Sequence, residues 1–147
     1  MTKPLTIILL FLSFICFSSS STIVGTWQTI GDYDGKPKSL VKIYKGKNGK
    51  YYGKILEYID PQLDTNEICA KCPKEDYRYN QRVVGMNIIT GLTASEDLKS
   101  ASGGKVLHPP SGKIYNFTMK LIENGTKMEV RGYLGFELLG RSQTWIR

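Results

Sequence analysis

The chain has one histidine, His108, and only three cysteines, of which Cys16 falls in an apolar leader. It contains no G-x-S-x-G, no G-x-x-x-x-G-K-[ST] and no H-E-x-x-H, so the nucleophile elbow, the phosphate loop and the zinc-protease helix are all missing. His108 sits beside Pro109 and Pro110 with no evident catalytic partner. Asp32 and Asp34 lie in GDYDGK, a turn in which acidic side chains cap the backbone and are not tuned for acid–base work. Two remaining cysteines are too few for a structural zinc site, which takes four ligands. No catalytic residue, metal site or cofactor is therefore expected, and the expectation is a protein that is not an enzyme. Long hydrophobic runs are scarce as well. The one candidate, Leu5 to Phe17, is shorter than the roughly 20 apolar residues that cross a bilayer, so the chain is not expected to span a membrane.

That run has a different meaning. Lys3 precedes it, and Ser18 to Ser21 supply small residues for cleavage, the pattern of a secretory signal peptide over residues 1–20. Ile15 before Cys16 argues against lipid attachment, which wants a small residue there. The expected product is one domain, residues 21–147, exported to the periplasm or secreted. Removing Lys3 from the 20 basic residues leaves 19 against 13 acidic ones, a formal charge of +6. For an exported protein this points away from nucleic acid. It points toward an anionic envelope component or an acidic protein partner, or simply toward a solvated basic surface.

Cys69 and Cys72 lie three apart in EICAKCPKED. A redox pair of the thioredoxin type would open a helix in a βαβ unit, whereas the flanks IDPQLDTNE and PKEDYRYNQ read as loop. Staple, redox pair and metal ligands are three readings. Export favours the staple, a Cys69–Cys72 disulfide pinning the long connection Asp60 to Arg82.

Elsewhere the pattern is alternation with period two between Gly-rich turns. In Ile114 to Ile122, Tyr115, Phe117, Met119 and Leu121 share one face, while Asn116, Thr118 and Lys120 share the other. Thr126 to Gly132 follows across ENG as the second arm of a hairpin. Further strands are expected at Val24 to Ile30, Ser39 to Tyr44, Lys50 to Tyr58, Val83 to Ile89, Gly104 to Leu107 and Phe136 to about Ile146. Gly53 marks a bend or close approach, and Gly140 a bulge. About eight short antiparallel strands predict an all-β, up-and-down barrel, since closure removes the exposed edges of a flat sheet.

The segments GTWQTI, GKPKSLVKIYK, GKYYGKI, CAKC, VVGM, PPSGKIY and RGYLGFELLGRSQTW, in this order, resemble the small exported bacterial family named domain of unknown function 2147. The resemblance spans nearly all of residues 21–147. It implies a lipocalin-like (calycin) barrel with no established activity. The family pattern carries an Asp where this chain has His108. A lipocalin-like barrel further implies that Trp27 of Gly25-Thr26-Trp27 closes the base, with Arg141 or Arg147 from the last strand over its indole. The inward face would then line a cavity with Tyr52, Tyr58, Met86, Tyr115, Phe117 and Met119, suited to a small apolar or amphiphilic ligand. The competing expectation is a barrel packed solid with side chains, serving as an envelope interaction or inhibitor module.

Overall fold

The computed structural model describes residues 21–147; the expected signal peptide, residues 1–20, lies outside the described residues. Alternating apolar residues make eight strands: β1 (Gly25–Ile30), β2 (Pro37–Lys45), β3 (Tyr51–Tyr58), β4 (Asn87–Ala94), β5 (Ser100–His108), β6 (Lys113–Ile122), β7 (Lys127–Tyr133) and β8 (Arg141–Ile146). Each pairs antiparallel with the next, and β8 returns to β1, so the sheet is a closed eight-stranded barrel. Up-and-down order sorts the connections between two ends. Residues 31–36, 59–86, 109–112 and 134–140 gather at one end, the mouth. Residues 46–50, 95–99 and 123–126 join both ends of the described chain at the other, the base.

The base is packed. Ile23, Trp27, Ile43, Leu92, Met119 and Met128 are fully buried or nearly so. Small residues on the strands make room for large ones opposite. A Cβ on Gly53 would meet Ile89 Cδ1 at 2.6 Å, and one on Gly104 would meet Leu92 Cγ at 2.7 Å. The close approach expected at Gly53 is thus filled by Ile89, and the β3–β4 register shifts on both sides of it.

The β1–β8 seam is short in backbone pairing, with Gln28↔Ile146 as its only register pair. Side chains complete it. At the base, Trp27 is 0% exposed and its Nε1 donates to the Ile23 carbonyl at 2.9 Å. The Arg147 guanidinium lies 4.0 Å above the indole centroid and donates to the carbonyls of Gly125 and Thr22. This is a cation over an aromatic face, held there by its Nε and Nη2 hydrogen bonds, a contact worth about 0.5–2 kcal/mol. Arg141 is at the other end of β8, so of the two arginines only Arg147 reaches Trp27.

Three strands start four or five residues from the position the sequence pattern predicts. The fourth strand begins at Asn87, because Gly85 with φ +93° turns the chain just before it; Val83 and Met86 are buried in the preceding connection. The fifth strand starts at Ser100 and absorbs a register shift between Ala101 and Gly104. The last strand starts at Arg141, because Glu137–Leu139 form a 3-10 turn. Gly140 is no bulge. It sits where a Cβ would meet the Gly132 carbonyl oxygen at 2.7 Å.

The long β3–β4 connection is organised by its own contacts. Cys69 and Cys72 are joined by a disulfide and buried. Ile68 and Arg82 form an isolated bridge, and the Val83 amide donates to the Glu67 carbonyl. Buried Arg78 grips Asp76 with two nitrogens, at 2.9 and 2.7 Å, and donates to the Asn87 carbonyl at 3.0 Å. That fork holds the Asp76 carboxyl below its usual range. The disulfide loop lies on the β5–β6 turn, where Gly112 has φ +68° and a Cβ would lie 1.7 Å from the Lys71 carbonyl oxygen. Only glycine fits there.

The packing of Trp27 sets an expected outcome. Trp27→Ala removes the largest buried group of the base and should cost about 3–5 kcal/mol, read as a lowered denaturant midpoint. An unchanged midpoint would show that the seam does not depend on the indole.

Candidate ligand cavity

Above the packed base the barrel stays open. A cavity of about 770 Å³ opens at the mouth, within the usual range for small-molecule sites. Phe117 on β6, Val130 on β7 and Trp145 on β8 are its deepest wall residues on those strands, with Met119 and Met128 packed below. The Phe117 and Trp145 rings lie 6.3 Å apart at a 40° tilt. Tyr115 and Val106 line the wall above, as the register pair Val106↔Tyr115 of β5 and β6. Thr29 and Ser39 line the opposite side, their hydroxyls bonded to each other at 2.8 Å.

Polar groups are concentrated at the rim. Asp32 does not cap its own turn. It accepts from Arg141 Nη1 at 3.2 Å and from Gln143 Nε2 at 2.8 Å, closing the seam at the mouth. Asp34 does the capping, through the Lys36 amide, and pairs with Lys38. Gln143 in turn accepts from Trp145 Nε1 at 3.2 Å. His108 lies at the same rim, Nδ1 bonded to Ser111 Oγ at 2.8 Å. Burial lowers the His108 pKa, against the opposing pull of Asp32 and Glu67. The rim thus holds an imidazole whose pKa desolvation lowers, an exposed guanidinium and a carboxylate already engaged.

Of the expected cavity residues, Tyr115 and Phe117 line it. Met119 points inward but is buried in the packed base. Tyr52 is on the outer face. The inward residues of β3 are Tyr51, Gly53 and Ile55, one step out of phase with the expected set, and Tyr52 stacks on Tyr44 outside at 5.9 Å. Tyr58 is half-buried away from the cavity. Its hydroxyl donates to Glu67 Oε2 at 2.7 Å, and burial followed by the Glu67 carboxylate pushes its pKa up. Met86 is buried at the end of the long connection, not on a strand. Arg141, expected as an alternative cover for Trp27, belongs to the rim.

Trp145, Gln143, Asp32, Thr29 and Ser39 were not among the expected residues. Period-two alternation in RSQTW would have placed Arg141, Gln143 and Trp145 on one face, but beginning that strand at Phe136 obscured it. Nothing local marks Asp32 as a partner of Arg141, 109 residues away. Among the described residues no group of three or more His, Cys, Asp and Glu side chains is placed to hold a metal ion, and no helix is long and apolar enough to cross a membrane.

A closed eight-stranded barrel, packed at one end and open at the other, is of the lipocalin type. A solved structure of protein HP1028 from Helicobacter pylori, described as belonging to the lipocalin family, superposes with a TM-score of 0.71 at 24% identity, covering 86% of this chain and 83% of that one. The chain belongs to the family described as uncharacterized protein conserved in bacteria (DUF2147), whose model matches residues 25–147. No curated protein gives a significant match.

Because His108 is the only histidine, its titration can be followed alone. Its imidazole resonances should shift with a midpoint below the free value of about 6.5. Unfolded chain takes up a proton in that interval and folded chain does not, so the His108 contribution to stability is present above about pH 6.5 and is lost as pH falls. His108→Gln should flatten this part of the stability–pH curve. A midpoint at or above the free value would show that the pull of Asp32 and Glu67 outweighs desolvation.

Proposed function

We propose that this chain is a non-enzymatic, exported carrier or sensor that holds one small amphiphile in the barrel. The observation that carries it is the cavity, apolar in depth and polar at the rim. Phe117, Val130 and Trp145 would take a hydrocarbon tail. Arg141, with a side chain 71% exposed, would meet an anionic head while Asp32 and Gln143 orient its guanidinium. Eight-stranded barrels of the lipocalin type have an interior wide enough for one such ligand. The test is native mass spectrometry of the protein purified in its exported form, followed by solvent extraction, alongside titration with a fluorescent fatty-acid analogue. An adduct or a saturable signal is expected. Arg141→Gln should weaken the carboxylate probe by about tenfold, as for loss of one hydrogen bond to a charged group, and leave an uncharged alcohol analogue unchanged. A bare mass together with no probe binding would overturn the reading.

A second reading, an anionic envelope partner, is favoured by charge placement. Between Asp34 and Glu57 the chain carries seven lysines and no acidic residue. Lys42 and Lys54 are register partners on the outer wall of β2 and β3, beside the stacked Tyr44 and Tyr52. Lys45 ends β2, and Lys47 and Lys50 follow on the base turn. This wall suits a phosphate- or carboxylate-rich polymer and is separate from the cavity. Long-chain polyphosphate should bind with an affinity that falls steeply with salt, and Lys42→Ser/Lys54→Ser should weaken it severalfold. Equal binding by the variant would remove the wall from consideration.

A further inference from the structure

The β7–β8 connection, residues 134–140 with sequence LGFELLG, carries four large apolar side chains in the open. Leu134 is 59% exposed, Phe136 79%, Leu138 90% and Leu139 80%. Tyr33, 97% exposed, stands on the adjacent β1–β2 turn next to Asp32, the partner of Arg141. Single exposed apolar residues are ordinary, but a cluster on one projecting turn marks a contact surface.

The turn is built to hold this arrangement. Arg131 Nε donates to the Glu137 carbonyl at 2.8 Å, Nη2 to the Leu138 carbonyl at 3.2 Å, and Nη1 to Ser142 Oγ at 2.8 Å. The amides of Leu139 and Gly140 donate to the carbonyls of Phe136 and Glu137. Three successive carbonyls at the tip are therefore satisfied from within the protein. A turn held in this way keeps its apolar side chains projecting, as entry into a bilayer surface requires. The shape points the same way. A seven-residue turn is a narrow projection and no broad flat face, and a few protruding apolar side chains suffice to enter a bilayer surface.

We infer that residues 134–140 form an apolar lip that inserts into the surface of a lipid bilayer and sets the cavity mouth against it. Leu134 and Leu139 also line the cavity, so the lip is continuous with the ligand path. An amphiphile would pass between bilayer and barrel without its tail crossing water; that part rests on the amphiphile reading above. Glu137, exposed on the same turn, keeps its carboxylate at head-group level and limits the depth of insertion. The lysine wall is not the docking element in this arrangement, since its base turn lies at the far end of the barrel.

The experiment is co-flotation of the protein, purified in its exported form, with phosphatidylcholine vesicles, with and without phosphatidylglycerol, at low and high salt. Wild type should float with both compositions and remain bound at high salt. Phe136→Ser/Leu138→Ser, which alters neither cavity lining nor barrel core, should reduce partitioning by at least about tenfold, given the apolar area removed. Any contribution from the N-terminal residues is common to both proteins. Binding only to anionic vesicles and only at low salt would overturn the lip in favour of the lysine wall. Absence of flotation, with self-association of wild type that the double variant loses, would assign the tip to a second copy and overturn it too. The fluorescent fatty-acid analogue, titrated without vesicles, separates the two ideas. The double variant should keep the wild-type Kd. Flotation without analogue binding would sustain the lip and sink the carrier reading, and analogue binding without flotation would do the reverse.

Discussion

The seam between β1 and β8 is the constraint on which the barrel depends. Every other neighbouring pair is joined by several register partners, and this pair by Gln28↔Ile146 alone. Closure is therefore carried by side chains at its two ends. At the base, Arg147 covers Trp27 and ties the end of β8 to the carbonyls of Thr22 and Gly125. At the mouth, Asp32 holds Arg141 and Gln143. The first fastening rests on a fully buried indole, and the second is exposed and polar. Screening by water makes the second weaker, so the mouth is the softer end of the molecule.

That asymmetry shapes the interior. Around Trp27 the side chains of β1, β2, β4, β6 and β7 meet and exclude space. Toward the mouth the inward positions become small or polar, with Thr29, Ser39, Gly132 and Gln143, and no side chain fills the centre. A tapering barrel packed at one end leaves a cavity at the other without needing any special device. The long β3–β4 connection, held by its disulfide and by the Asp76–Arg78 fork, covers part of the mouth. It rests on the β5–β6 turn through Gly112, leaving the side bounded by β7, β8 and β1 for access.

Three kinds of surface then lie at different places on one small barrel. The apolar lip and the polar rim share the mouth, while the lysine wall runs toward the base. Segregation of this sort arises because each surface is carried by a separate hairpin or connection, and the up-and-down order assigns alternate connections to opposite ends. Neighbours in sequence, such as Asp34 and Lys47, end far apart in role, and Asp32 and Arg141, distant in sequence, share a site.

Much of the architecture was legible in the residues. Alternation in IYNFTMKLI put Tyr115, Phe117 and Met119 on the inner face, and β6 bears them there. Strand count and the need to bury edges implied closure, and the lipocalin-like resemblance that GTWQTI helps to carry implied where the base would be. What sequence could not decide was phase and depth. In β3 both Tyr51 and Tyr52 are aromatic, and only the packing of Gly53 against Ile89 selects Tyr51 for the interior. Met119 and Phe117 share one face two residues apart, yet one is base core and the other cavity wall, because depth along the barrel depends on what the other strands place at the same level. Arg141 and Arg147 are equivalent by residue type. The register of β8 against β7 sends one to the rim and the other to the indole. Local alternation fixes which face a side chain takes, to within one residue. The partners it meets across the barrel are set by closure, an interaction among residues more than a hundred positions apart, and no local pattern encodes it.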